Sequence, residues 1–227
     1  MRAVISLTHV QAILFDLDGT LVETDNRWAK IIADKLQPLR RVLPRLDVEA
    51  LGREVVMGIE MPANYAISTL EHLGLSRYLQ GVADRVRRSK GLATRGDSTA
   101  VEGSDELLRA LHGRFKMAVV TTRARPEALA FLQKRGWDRF FPVLVTRQDV
   151  FRMKPHPEPV RRAAALLGVP VDCCVMIGDT TMDIRAARRA GVFAVGVLSG
   201  FGDRRELERA GAQLILERAE QLLAYLP

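Results

Sequence analysis

Cysteine, histidine and aromatic side chains are scarce in this chain: two, four and 6% of 227 residues. Each shortage closes off a class of function. The two cysteines, Cys173 and Cys174, are adjacent and sit in an apolar run, where a vicinal disulfide would distort the strand and a metal would find no second pair of ligands. They read as small core residues in a reducing compartment. His9, His72 and His112 show no ligand spacing. No apolar run approaches the roughly 20 residues that span a bilayer, and the opening Met1–Leu7 is too short and too abruptly polar for a secretory signal. A soluble, cytoplasmic protein without a membrane partner is therefore expected. The formal charge of +7 raises the question of nucleic acid, but the excess is spread along the chain. Its densest cluster, Arg85, Arg87, Arg88 and Lys90, lacks interleaved aromatics and reads as a solvated helix face. No nucleic-acid partner is expected. There are no internal repeats and no low-complexity segments.

What is present is an alternation of helix and strand from residue 104 onward. Ser104 reads as an N-cap, with Asp105 and Glu106 in the first turn and Gly113 as the stop. A strand at 116–121 follows, then a helix entered at Pro126 and ended by Gly136, then the strand Val143–Val145. A helix over 158–167 precedes the strand Cys173–Ile177. A helix over 182–190 ends at Gly191 before a strand at 193–197, and a last strand at Leu214–Leu216 leads to a terminal helix. The strands are continuous apolar runs, the pattern of a parallel sheet covered on both faces. The fold class is thus α/β: a doubly wound, Rossmann-like parallel sheet, with ligands outside the carboxyl ends of its strands. Residues 21–97 break the pattern with helical periodicity alone. They predict an all-helical cap inserted into a core formed by 1–20 and 98–227.

The most informative run is Phe15-Asp16-Leu17-Asp18-Gly19-Thr20, at the end of the apolar stretch Ala12–Phe15. Side chains two apart on a strand share a face, so Asp16 and Asp18 emerge together where Gly19 turns the chain away. Two carboxylates so close resist joint ionisation unless a cation or a shared proton relieves them. The pair asks for a divalent metal and suggests a nucleophile beside an acid/base. Alone, the run also reads as a strand followed by an ordinary turn. Three further polar signals, each after an apolar run, make that coincidence hard to sustain: Thr121-Thr122-Arg123, Lys154-Pro155, and Gly178-Asp179 with Asp183 beyond.

Taken together, these motifs resemble those of the haloacid dehalogenase-like superfamily of hydrolases, in the phosphoglycolate phosphatase-like branch with a helical cap of the first type. The resemblance covers nearly the whole chain. It implies phosphoryl transfer, because the dehalogenases that name the superfamily lack the second aspartate, here Asp18. By the same resemblance Asp16 and Asp179 supply Mg2+ oxygens, the main-chain carbonyl of Asp18 supplies another, and Asp183 ligates directly or orients Asp179. Asp16 would attack phosphorus and form an aspartyl-phosphate; Asp18 would protonate the leaving oxygen and then activate water. Lys154 would offset charge on the transferring group, and Thr121 would donate to a phosphoryl oxygen. Thr122 either adds a polar contact to the phosphate or continues the turn.

Other residues carry plainer readings. His156, between Pro155 and Pro157, belongs to a rigid turn, and Trp28 to the core of the cap. Arg27 and Arg123 have the reach to meet a substrate anion but read as solvated. The expected function is a Mg2+-dependent phosphatase of small phosphorylated metabolites. A phosphomutase of the β-phosphoglucomutase type is the enzymatic alternative, and a non-catalytic binding protein that keeps the fold is the alternative from another class. The substrate and the oligomeric state are beyond the sequence.

Overall fold

The computed structural model describes residues 7–23 and 99–227, together with the single positions 34 and 37. Six strands form one sheet: β1 (Ala12–Phe15), β2 (Lys116–Val120), β3 (Val143–Val145), β4 (Cys174–Gly178), β5 (Phe193–Val197) and β6 (Leu214–Leu216), in the order β3-β2-β1-β4-β5-β6. Every pairing is parallel. Between strands run α1 (Ser104–Leu111), α2 (Arg125–Lys134), α3 (Glu158–Leu167), α4 (Thr181–Ala190) and α5 (Arg204–Ala210). The order reverses direction at β1, whose neighbours β2 and β4 lead to opposite edges of the sheet. Such a switch point opens a crevice at the carboxyl ends of the strands.

Burial on both faces explains why the strands are apolar throughout. Ile13, Phe15, Met117, Val119, Val175 and Ile177 join a core with Leu107, Leu108 and Leu111 of α1 and Phe131 and Leu132 of α2. The residues between them, Ala12, Leu14, Ala118, Val120, Cys174 and Met176, join a second core with Val160 and Ala163 of α3, Ile184 and Ala187 of α4, and Leu207 of α5. A register slip by one residue would exchange the two sets, and each set is shaped for its own helices. The register is therefore firmly specified. Phe15 lies opposite both Val119 and Ile177, so Asp16 stands level with Val120 and Gly178, and the polar residues that follow the three strands emerge side by side.

The predicted helices over 158–167 and 182–190 are observed as α3 and α4, each closed by a left-handed glycine, Gly168 and Gly191. Ser104 is not an N-cap. Gly103 holds the capping position with φ 83°, and Ser104 begins α1 itself, buried and without a side-chain capping bond. Cys173 ends a 3-10 turn rather than opening β4; the strand begins at Cys174, whose thiol burial pushes up to about 11. Helix α5 was not expected. Its signal was the capping box Asp203-Arg204-Arg205-Glu206, in which each side chain satisfies the other residue's main-chain N–H. The terminal helix is a 3-10 segment, Ala219–Tyr225.

The helical stripes, cap boundaries and cap residues expected over 21–97 lie outside the described residues, apart from Leu21–Glu23. These three run beside the returning chain: Val22 bridges Ala100, Glu23 N–H donates to Thr99 O at 2.9 Å, and Val101 N–H donates to Leu21 O at 3.0 Å. Among the described residues, no helix is long and apolar enough to cross a membrane.

Candidate active site

Three strand ends and one loop meet at the crevice. Asp16 follows β1, and its N–H continues the ladder to Ile177 O at 2.9 Å. Thr121 follows β2, anchored by its N–H to Val145 O at 2.9 Å. Asp179 follows β4. Lys154 stands on the loop between β3 and α3, in a turn that Glu158 closes by accepting the N–H groups of Phe151 and Arg152 at 2.9 and 3.1 Å. His156 belongs to the same turn, its Nδ1 accepting the Glu158 N–H at 3.2 Å.

Lys154 is the hub. Its buried Nζ donates to Asp16 Oδ1 and to Asp183 Oδ1, both at 2.5 Å, and to Val120 O at 3.1 Å. All three N–H donors of the ammonium are thereby used. Asp183 is fixed from its other oxygen, since Thr180 N–H and Oγ1 donate to Oδ2 at 3.1 and 2.5 Å in the capping box that starts α4. Asp179 is buried and accepts from Phe201 N–H at 2.7 Å and from Thr20 Oγ1 at 3.5 Å. Two glycines wrap this carboxylate. A Cβ on Gly19 would lie 2.2 Å from Asp179 Oδ2, and one on Gly200 would lie 2.1 Å away. Ser199 ties the two loops together by donating to Gly19 O at 2.8 Å.

Oxygens of Asp16, Asp179 and Asp183 all lie within 4.8 Å of one another. Three carboxylates against one ammonium leave buried negative charge uncompensated, which shows in the acidities. Burial pushes the Asp16 carboxyl up to about 7, with the Lys154 ammonium opposing and the Asp183 and Asp18 carboxylates adding to the rise. Burial and then its neighbours Asp183 and Asp16 hold Asp179 well above the usual carboxylate range. Lys154 is held above its ordinary value, because Asp16 and Asp183 outweigh the burial that disfavours its charge. A hard divalent cation among these oxygens would relieve that strain, since an all-carboxylate donor set suits a hard ion rather than a thiolate-seeking one. The residues fit such an ion.

Asp18 differs from Asp16. Its side chain stands outside the trio of converging oxygens and faces Arg123, whose Nε–H donates to Oδ2 at 2.7 Å while an Nη2–H donates to Oδ1. The solvated reading of Arg123 is thus corrected, as its guanidinium is three-quarters covered, with side-chain exposure of 23%. The Thr121 hydroxyl accepts Arg123 N–H at 3.1 Å, which leaves the hydroxyl's own proton free to donate outward. Thr122 is half-buried beside it. Arg27 and Trp28 lie outside the described residues. Sequence reasoning missed the embrace of Asp179 by Gly200 and Phe201. Its signal is the glycine-rich turn Ser199-Gly200-Phe201-Gly202 directly after β5.

The family model described as haloacid dehalogenase-like hydrolase matches residues 13–197, a span that contains every one of these charged side chains. The chain belongs to the haloacid dehalogenase-like hydrolases. It is similar to a phosphoglycolate phosphatase of Neisseria meningitidis, with 31% identity over 210 residues that cover 87% of this chain and 84% of the relative. It is also similar to the pyrophosphatase PpaX of Bacillus velezensis, with 32% identity over 219 residues and 95% of both chains covered. Among solved structures, a hydrolase from Pseudomonas syringae superposes with a TM-score of 0.63 at 28% identity, covering 95% of this chain and 97% of that one. This haloacid dehalogenase-like hydrolase is therefore an enzyme whose relatives bear phosphatase names.

Proposed function

We propose that this enzyme is a cytoplasmic, Mg2+-dependent phosphatase of small phosphorylated metabolites that works through an aspartyl-phosphate on Asp16. The single observation that carries the reading is the placement of Asp16. One oxygen is locked by the Lys154 ammonium at 2.5 Å, and an oxygen of the same carboxylate converges with those of Asp179 and Asp183. A carboxylate so fixed cannot rotate away from the crevice, and positive charge lies beside it to screen an incoming phosphate dianion.

Asp16, Asp179 and Asp183 would hold Mg2+, with the main-chain carbonyl of Asp18 as a further oxygen. The bound ion supplies positive charge for the phosphoryl oxygens and lowers the proton affinity of Asp16. Asp16 attacks phosphorus in line while Lys154 balances the charge gathering on the equatorial oxygens. Thr121, its hydroxyl oxygen already accepting Arg123 N–H, turns its proton toward one of these oxygens, and Thr122 takes a neighbouring one. Asp18, more exposed than Asp16, protonates the leaving oxygen and then removes a proton from the water that releases phosphate from Asp16. The helical cap expected over 21–97 would add further contacts to the substrate. Phosphoglycolate and pyrophosphate, which name the substrates of the relatives, head the panel of compounds.

The test is release of inorganic phosphate from phosphoglycolate, pyrophosphate and an aryl phosphate, with Mg2+ and with a chelator. Release is expected only with the metal, and Asp16→Asn should lower kcat by roughly four orders of magnitude. Turnover that survives either the chelator or that substitution would refute the reading. Relocation of phosphate on a sugar phosphate without its release would point to a mutase instead.

A further inference from the structure

The buried cluster addresses the transferring phosphoryl group. None of its members addresses what leaves. Arg123 pairs with Asp18, the side chain that would meet the leaving oxygen. Its guanidinium binds Asp18 side-on through Nε and Nη2, with the Phe131 ring 5.9 Å from Cζ. Glu127 and Asp16 add attraction for its charge. Side-on binding uses two of the five donors and spares the end-on edge formed by Nη1 and Nη2, which makes no hydrogen bond among the described residues. A planar fork of this kind matches carboxylate and phosphate bidentately. An acid/base must lie within hydrogen-bond reach of the leaving oxygen, so a cation clamped to Asp18 lies close to any group one or two bonds beyond that oxygen.

We propose that Arg123 is a specificity-determining residue that recognises a second anion, carboxylate or phosphate, on the leaving group of the substrate. The inference rests on the phosphatase reading and on Asp18 as its acid/base. It assigns the substrate class as phosphate esters or anhydrides whose leaving group is itself anionic.

The experiment compares kcat/KM of the full chain for phosphoglycolate and pyrophosphate with that for 2-hydroxyethyl phosphate, whose leaving group is neutral. Arg123→Gln is expected to lose roughly 10- to 100-fold more on one or both anionic substrates than on the neutral one, mainly through KM. The substrate that shows the excess identifies which anion is read. Arg123→Lys keeps the charge without the fork and should fall between parent and glutamine variant. Equal losses on all three compounds, or no loss, would overturn the inference while leaving the phosphatase reading intact. A parent protein that frees phosphate from none of them, nor from an aryl phosphate, would overturn both.

Discussion

Asp16 and Asp18 leave the same strand end two residues apart, yet their surroundings contrast. Asp16 is buried, shares an ammonium with Asp183, and is pushed toward neutrality by the loss of water. Asp18 remains 36% exposed and holds a single guanidinium that also touches solvent. Desolvation sets the inner site, so charges there must be matched in place or stay protonated. In the outer pair water can replace either partner, so the groups are free to exchange partners during a reaction. The contrast separates a carboxylate held among buried charges from one that keeps contact with water, as the proposed acid/base role of Asp18 requires.

The strongest way to break this contrast is to remove the inner ammonium. Lys154→Met leaves Asp16 and Asp183 buried without their cation, and stability should fall by about 3–5 kcal/mol. Thermal unfolding should show this as a drop of roughly 10 °C; an unchanged transition would mean that the ammonium does not hold the two carboxylates together. A steric probe comes next. Gly200→Ala places a Cβ against the Asp179 carboxylate, where a buried and hydrogen-bonded side chain has little room to yield. Overpacking of this kind costs about 1–3 kcal/mol, and weaker protection by Mg2+ in a melting titration should accompany it. The smallest effect belongs to the outer pair. Asp18→Asn should change stability by less than about 1 kcal/mol, since the Asp18 side chain keeps 36% exposure and an amide oxygen can still accept from Arg123, while phosphate release falls by roughly two to four orders of magnitude. If denaturant unfolding instead showed Asp18→Asn to be as damaging as Lys154→Met, the distinction between inner and outer carboxylates would be lost.

Much of the fold was legible because burial on both faces forces strands to be apolar throughout, and because Gly168 and Gly191 mark helix ends by chemistry local to the chain. The same locality explains the error at Ser104. A serine before two acids looks like a cap, but Gly103 takes that place in a turn packed so closely against Glu220 that a Cβ would meet its side chain at 2.8 Å. That contact spans more than a hundred residues and leaves no trace in the neighbouring sequence. The site divides along the same line. Asp16 and Asp179 each follow an apolar strand and Lys154 precedes a proline, signals local to the chain, while Asp183 and the roles of all four were implied by the resemblance; the register of the sheet sets Asp16 and Asp179 side by side. Arg123 was misread because its partner lies 105 residues away, and a lone arginine in a loop carries no local sign of what it faces. At Asp183 the carboxylate touches Lys154 directly, and one of its oxygens lies within 4.8 Å of those of Asp16 and Asp179.

Asp183 also closes the capping box with Thr180. One carboxylate therefore fastens the first turn of α4 with one oxygen and steadies the lysine with the other. Substituting it would disturb the lysine and loosen the helix that presents it, so a loss of activity at this position could not be assigned to chemistry alone. Natural variation here would be judged for architecture and turnover at a single stroke.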